Sequence, residues 1–319
     1  MVTPAPPGSR SGNRRTALRW AGLLRGLGHD VAVLGSYSGQ RCDVLVALHA
    51  RHSADSVRRF RCREAEAPLV LALTGTDVYG DIHTDEAARA ALALADRYVV
   101  LQSLAVRELP PALRHRAVVV HQSARPSGRP RRPRPGVFEV LVLANLRPVK
   151  DPLRAASAAR LLPPTSRVMV THLGEALDEA LGRSARAEAA DNPRYTWQGA
   201  VSHPRAMAHL GGAHLLALTS RTEGGANVIS EALATGVPVV ASRNDGSVGL
   251  LGEAYPGYFE VGDSEALATL LSRAETDPGF YAALRAACDA RRPLVLPETE
   301  QASWASLLAS LVQPRDPST

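Results

Sequence analysis

A stretch of proline and arginine, Arg125-Pro126-Ser127-Gly128-Arg129-Pro130-Arg131-Arg132-Pro133-Arg134-Pro135-Gly136, divides the chain. Proline lacks the backbone donor and fixes φ, so such a stretch sustains neither a helix nor a β-ladder. The same pattern runs on both sides of it. Short β-rich apolar runs alternate with amphipathic helical segments, the pattern of a parallel sheet wrapped by helices. Upstream, strands are expected at 31–34, 44–48, 69–73, 98–101 and 118–121, with only a turn between the first two. Before them Ala17, Trp20, Leu24 and Leu27 recur at helical spacing, with Asn13 as the expected N-cap and Gly28 as the stop. Downstream, strands are expected at 138–144, 167–172, 195–198, 214–219 and 238–242. Helices are expected at 152–162, at 176–190, in a segment ending at Thr235-Gly236, and at 298–312.

A chain of 319 residues is long enough for two domains of roughly 150 residues each. The expected architecture is therefore α/β, with a Rossmann-like domain over 1–124, a linker over 125–136, a second Rossmann-like domain over 137–297, and a C-terminal helix and tail over 298–319. Open parallel sheets bind ligands outside the carboxyl ends of their strands, where helix N-termini present free amides. Two such domains are expected to face a central cleft.

Composition narrows the functional classes. Apolar runs fall far short of the roughly 20 residues needed to cross a bilayer. The opening Met1-Val2-Thr3-Pro4-Ala5-Pro6-Pro7-Gly8 lacks the basic and apolar regions of a secretory signal, so a cytoplasmic protein without a membrane partner is expected. Cys42, Cys62 and Cys288 stand far apart, which argues against a disulfide framework or zinc site and for buried thiols. The net charge is +6 with pI about 9.6, but the arginines are scattered among acids and form no basic helix with aromatic platforms. A nucleic-acid partner is not expected, and a solvated surface or a basic cleft for an anion accounts for the charge. Among 37 basic residues there is a single lysine, Lys150, a compact ammonium where a forked guanidinium would fit differently.

Four motifs fall at the expected sheet edges. Gly8-Ser9-Arg10-Ser11-Gly12-Asn13 precedes the first helix, where its glycines let backbone amides approach a phosphate or sugar; a plain connector is the alternative. Arg14 and Arg15 follow, an unfavourable charge at a helix N-terminus unless an anion or carboxylate answers it. Leu73-Thr74-Gly75-Thr76-Asp77 brings hydroxyls and a carboxylate to a strand end, either to orient an acceptor or, for Asp77, to cap the next helix. His49 ends the strand at 44–48, where a structural role is the simpler reading. Leu146-Arg147-Pro148-Val149-Lys150-Asp151-Pro152 places two cations after the first strand of the second domain, where a departing diphosphate gains charge in the transition state.

The fourth motif is Glu223-Gly224-Gly225-Ala226-Asn227-Val228-Ile229-Ser230-Glu231. Eight residues are close to two turns of helix, so Glu231 shares a face with the helix start and is expected to reach a ribose while Glu223 reaches a sugar. The amides of Gly225, Ala226 and Asn227 are placed to meet phosphate oxygens.

A glutamate pair spaced by seven residues after a Gly-Gly loop, with an R-P-V-K turn upstream, resembles the retaining GT-B glycosyltransferases, and the likeness covers nearly the whole chain. More narrowly, Val2-Thr3-Pro4-Ala5-Pro6, Ser11-Gly12-Asn13, Leu48-His49-Ala50, Leu73 to Asp77, Leu146 to Pro152 and Glu223 to Asn227 are similar to the selenosugar synthase family of selenoneine biosynthesis. That resemblance implies a UDP-sugar donor, typically UDP-N-acetylglucosamine, and selenophosphate as the nucleophile. The implied products are a 1-seleno-sugar, UDP and phosphate. It further implies that Glu231 holds the ribose, Arg147 and Lys150 the diphosphate, and Glu223, Gly224 and Gly225 the sugar and β-phosphate. Gly12, Asn13 and Thr76 would face the acceptor, with Arg14 and Asp77 beside them. Relatives of this architecture imply no metal and no other cofactor, and a pathway link to a selenophosphate synthetase. In one respect the chain departs from the pattern: residues 1–3 are few for a full first strand, so that strand is short or the natural start lies upstream. A transferase acting on a hydroxyl, thiol or lipid acceptor, a non-catalytic binding module and a nucleotide-sugar epimerase are the rival readings.

Overall fold

The computed structural model describes residues 1–9, 11–75, 77–126 and 130–312, the last without its side chain. The described chain forms two compact units: one within residues 1–123 and 297–312, the other within residues 124–296.

In the first unit, helix α1 (Gly12–Gly26) buries Thr16, Ala17, Trp20, Ala21 and Leu24, the face read from the sequence. Its N-cap is Ser11 and not Asn13: the Ser11 hydroxyl accepts from the Arg14 amide at 3.3 Å. Gly28, at φ 90°, follows the last turn. Strands β1 (Leu45–Leu48), β2 (Leu69–Leu73), β3 (Arg97–Val100) and β4 (Ala117–Val119) pair in parallel in the order β1-β2-β3-β4. Helices α2 (Ala54–Arg63), α3 (Ile82–Thr84) and α4 (Glu86–Leu94) join them, with a π-helical turn at Asp77–Asp81. Side chains alternate across this sheet with period two. Leu69, Leu71 and Leu73 enter one core with Phe60 and Tyr98, whereas Val70 and Ala72 enter another with Trp20. Apolar residues on both faces are what a sheet covered on both sides requires.

The strand expected at 31–34 does not form as such. Leu34 makes a single parallel bridge to Val2, which also bridges Ala47. The Thr3 amide donates to the Leu34 carbonyl at 2.9 Å, and Pro4, with no N–H, cannot extend the pairing.

The second unit holds β5 (Phe138–Leu143), α5 (Arg154–Arg160), β6 (Val168–Leu173), α6 (Glu179–Asp191), β7 (Tyr195–Trp197), α7 (His203–Gly212) and β8 (Leu215–Leu218). It continues through α8 (Asn227–Thr235), β9 (Val239–Ser242), α9 (Asp245–Leu251), β10 (Tyr258–Phe259), α10 (Ser264–Thr276) and α11 (Pro278–Arg291). Its six strands are parallel in the order β10-β9-β8-β5-β6-β7. One apolar cluster runs from Phe138 to Val295. The interior strand β5 carries a buried acid, Glu139, which is answered by Arg131, Arg134 and the Thr171 hydroxyl.

Two boundaries differ from the expected ones. The change of unit falls between Ser123 and Ala124, and the described part of the Pro/Arg stretch belongs to the second unit: the Arg131 amide donates to the Ala208 carbonyl of α7 at 2.9 Å. Ser127, Gly128 and Arg129 lie outside the described residues. The C-terminal helix α12 (Pro297–Val312) is not an appendage but part of the first unit, where Trp304 packs edge-on against Trp20 at 4.9 Å. Of the three cysteines expected to be buried, only Cys288 is; Cys42 is half-buried and Cys62 exposed. Among the described residues no helix is long and apolar enough to cross a membrane.

Candidate active site

Strand order places the site of the second unit. After β5 the chain adds β6 and β7 on one side, then returns to add β8, β9 and β10 on the other. The order therefore reverses between β5 and β8, and that reversal opens the crevice where open α/β sheets receive ligands. The loops leaving β5 and β8 carry the two motifs singled out above.

After β5, Leu146 bridges Ala176, and a single turn of 3-10 helix spans Pro148–Lys150. Asp151 ends the turn in the left-handed region at φ 42°, unusual for a residue with a Cβ. The loop after β8 holds it there. The Thr219 hydroxyl donates to the carbonyls of Lys150 and Asp151, both at 3.0 Å, and the Arg221 amide donates to the Val149 carbonyl at 2.8 Å. So fixed, the Lys150 ammonium donates to Glu223 Oε1 at 2.6 Å, the lysine partly exposed and the glutamate nearly buried. One of three N–H donors is thus engaged, and two are left for a ligand. Arg147, one turn earlier, is exposed.

Glu223 is held from behind by α9. A Cβ at Gly246 would overlap the Glu223 carbonyl oxygen and Cβ, so only glycine lets α9 approach this closely. Asn244 ties the same region together, its amide donating to the Ser220 carbonyl at 3.0 Å while its oxygen caps α9 at the Ser247 amide. Beyond Glu223, Gly224 is buried and Gly225 half-buried, and α8 begins on Ala226, which has no side-chain cap, with no acid in its first turn. The amides of this turn and the half-buried Asn227 thus form a terminus suited to an anion. Glu231, further along α8, meets His203 Nε2 at 2.9 Å. The structure brings Lys150 and Glu223 into contact and sets Glu231 on the helix that Glu223 leads into.

A buried histidine supports the root of the β5 loop. His172, at the end of β6, has Nε2 2.8 Å from the Ala144 carbonyl and Nδ1 2.8 Å from the Tyr195 hydroxyl. Burial pushes its pKa down to about 4, so the imidazole is neutral in ordinary buffers. Sequence reading passed over His172, Thr219, Asn244, Gly246 and His203. Position at or after a strand end was the one available signal, since each acts through a partner distant in sequence.

In the first unit, Val2 bridges Leu34 on one side and Ala47 on the other, so the order reverses there as well. The loop that follows holds residues expected from the sequence to face an acceptor. Gly12 is exposed and opens α1, with free space where a Cβ would stand. Asn13 Oδ1 accepts from the Thr74 hydroxyl at 2.8 Å, joining the two motif loops. Arg14 is half-buried, and its Nε and Nη1 atoms have no hydrogen-bond partner. Thr76 lies outside the described residues.

Asp77 requires a correction. It is 0 % exposed, and the α-helices that follow are entered from Asp81 and Asp85, so it does not cap the next helix. Its two carboxylate oxygens accept from the Ala50 amide at 3.0 Å and the Gly75 amide at 2.8 Å, which staples the loops after β1 and β2 together. Beside it His49, at φ 73°, stands 3.9 Å from Asp77 and 3.9 Å from Asp81. Burial raises the Asp77 carboxyl, opposed by His49 and the backbone donors, and lowers His49 against the pull of Asp77. Among the described residues no three His, Cys, Asp or Glu side chains are grouped to hold a metal ion.

The family model of the glycosyl transferases of group 1 matches residues 129–291. No curated protein matches the sequence. Among solved structures, Anabaena Alr3699/HepE in complex with UDP-glucose aligns at TM-score 0.74 and 17% identity, covering 97% of this chain and 98% of that one. Sucrose-phosphate synthase from Thermosynechococcus elongatus aligns at 0.68 and 17%, covering 84% and 73%. A UDP-forming α,α-trehalose-phosphate synthase from Burkholderia vietnamiensis aligns at 0.66 and 15%, covering 93% and 78%. At these identities the likeness is one of fold: two parallel-sheet α/β units, the GT-B fold expected from the sequence.

Proposed function

The chain belongs to the glycosyl transferases of group 1, and on that premise we propose that it moves a sugar from a UDP-sugar onto selenophosphate. The observation that carries the donor half is the Lys150–Glu223 pair at 2.6 Å on the reversal point of the second sheet. A held ammonium with two free donors suits a diphosphate whose charge grows as it departs. In this reading Arg147 and Lys150 take the diphosphate, and Glu223 with the Gly224 and Gly225 amides takes the sugar and β-phosphate. The amides of Ala226 and Asn227 complete the phosphate cradle, and Glu231 takes the ribose. The UDP-glucose complex of HepE, a protein of the same fold, supports a UDP-sugar as donor. The motif resemblance favours UDP-N-acetylglucosamine.

The acceptor half rests on the same resemblance. Selenium in selenophosphate attacks the anomeric carbon, the carbon–oxygen bond to the diphosphate breaks, and UDP leaves with the electron pair. Water then cleaves the selenium–phosphorus bond, giving the 1-seleno-sugar and phosphate. A soft, already ionised nucleophile needs no general base, so positioning by Gly12, Asn13, Arg14 and Thr76 and stabilisation of the leaving group supply the rate. The reaction calls for no metal ion. Selenophosphate would come from a selenophosphate synthetase.

The test is anaerobic incubation of the purified protein with UDP-N-acetylglucosamine and selenophosphate, with mass spectrometry for UDP and for a selenium isotope pattern on the sugar. Both products are expected. UDP without the seleno-sugar would overturn the selenium reading and redirect the search to hydroxyl or thiol acceptors, and neither product would overturn the donor as well.

A further inference from the structure

Arg14 carries two guanidinium nitrogens that no described residue answers. Its Nε and Nη1 atoms are buried without a hydrogen-bond partner, in the first turn of a helix that has no acid there to offset it. Each condition is unfavourable by itself. A guanidinium that loses water without gaining an acceptor costs stability, and a cation at a helix N-terminus meets the positive end of the dipole. Elsewhere in the unit the comparable guanidiniums are satisfied: Arg19 meets Glu300 at 3.1 Å and Arg61 meets Asp96 at 2.7 Å. The neighbours of Arg14 are committed as well. The Ser11 hydroxyl accepts the Arg14 backbone amide, and Asn13 Oδ1 accepts the Thr74 hydroxyl. Beside them Gly12 leaves open space. All of this stands where the order of the first sheet reverses, the place such sheets keep for ligands.

We infer that Arg14 is the docking point of a phosphorus oxyanion: it takes the phosphate end of the acceptor, and inorganic phosphate binds there as the product. The inference rests on the proposed transfer to a phosphorylated nucleophile and adds to it the residue that selects one. A planar guanidinium with unused donors matches a dianionic tetrahedral group, and the ligand removes the penalty carried in its absence.

The test is thermal unfolding of the full chain with UDP saturating, so that the donor loops are filled, and with inorganic phosphate added at constant ionic strength. Phosphate is expected to raise the wild-type Tm by on the order of 5 °C at saturation. Arg14→Met is expected to unfold at a higher temperature than wild type without ligand, because an unanswered charge is gone. It should keep the UDP response and lose the phosphate response, while Arg14→Lys keeps part of the latter. A lower ligand-free Tm for Arg14→Met, or failure of that variant to fold, would overturn the inference by revealing a structural partner. A phosphate response that persists in Arg14→Met would overturn it too. Loss of the UDP response would reassign Arg14 to the donor diphosphate and overturn the acceptor role. Should UDP leave the wild type unchanged, the donor reading fails by itself, and phosphate added alone still decides Arg14.

Discussion

At the scale of single residues, the proposed roles separate groups that would act on the leaving diphosphate from groups that would hold the donor in place. Lys150 is the single lysine of the chain, and among the described residues its side chain donates to Glu223. Lys150→Ala removes a charge needed most in the transition state, so turnover is expected to fall on the order of 100-fold. Glu231→Ala removes the proposed ribose contact, one made before and during the reaction, so it should raise KM for the donor with kcat little changed. Steady-state kinetics on both variants checks the contrast, and equal effects on kcat would remove it. His172 supports the same loop by a different kind of energy. The unfolded chain protonates this imidazole near 6.5, the folded one only at about 4. Between those values the unfolded state binds the extra proton, so the contribution is whole above pH 6.5 and is lost as pH falls toward 4. The size is on the order of 3 kcal/mol. Burial also lowers His49, His209 and His214, so the measurement is a difference: urea midpoints against pH should slope less in His172→Gln than in wild type. Parallel slopes would show that His172 carries none of it.

At the scale of elements, the site depends on how closely helices approach loops. Gly246 brings α9 against the backbone of Glu223, and a Cβ there would strike a carbonyl oxygen that no side-chain rotation can move. Gly246→Ala is therefore expected to displace Glu223 and, through it, Lys150. Turnover should fall 10-fold or more, in line with the cost of misplacing reacting groups by about 1 Å. The fold is expected to persist, checked by circular dichroism beside the kinetics; wild-type turnover in a folded variant would show that the approach is not needed.

The same approach explains what the sequence could and could not disclose. Residues 69–73 and 138–144 read as strands because a short run between breakers that is apolar throughout, or apolar but for Glu139, has few other uses, and both sheets bear this out with β2 and β5. Glu223 and Lys150 were legible as a pair of motifs, though not as a contact, because 73 residues separate them and strand order alone makes them neighbours. Residues 31–34 misled because β-rich composition says nothing about the length of the partner. The two amides that meet Asp77 were not legible, because a strand-end carboxylate looks the same whether it faces solvent or backbone donors. Gly246 was invisible as a site residue, since a glycine after a strand reads as a turn until the atom it makes room for is known.

At the scale of the whole molecule, the chain leaves its first unit at Ser123 and comes back at Pro297, and a single buried carboxylate serves both ends of that excursion. Glu300 of α12, 0 % exposed, accepts from Trp20 Nε1 at 2.7 Å, from Arg19 Nε at 3.1 Å, from the Ser123 amide at 2.9 Å and from the Ser123 hydroxyl. It thereby joins the returning helix to α1 and to the point of departure. Removing one partner of such a buried network leaves its donors and the Arg19 charge unmatched, which costs about 3–5 kcal/mol. The tryptophans make this measurable unit by unit. Trp20 and Trp304 lie against each other in the first unit, and Trp197 is in the second. In a Trp197→Phe background, tryptophan fluorescence reports on the first unit alone. Glu300→Ala should move that fluorescence transition to lower urea by the stated energy. The second unit, whose cluster contains no residue of α12, is expected to keep its own transition, read as UDP binding at urea concentrations where the fluorescence of the first has changed. A fluorescence midpoint unmoved by Glu300→Ala would mean that α12 is held by its apolar face alone. A joint loss of fluorescence and UDP binding would mean that the two units unfold as one.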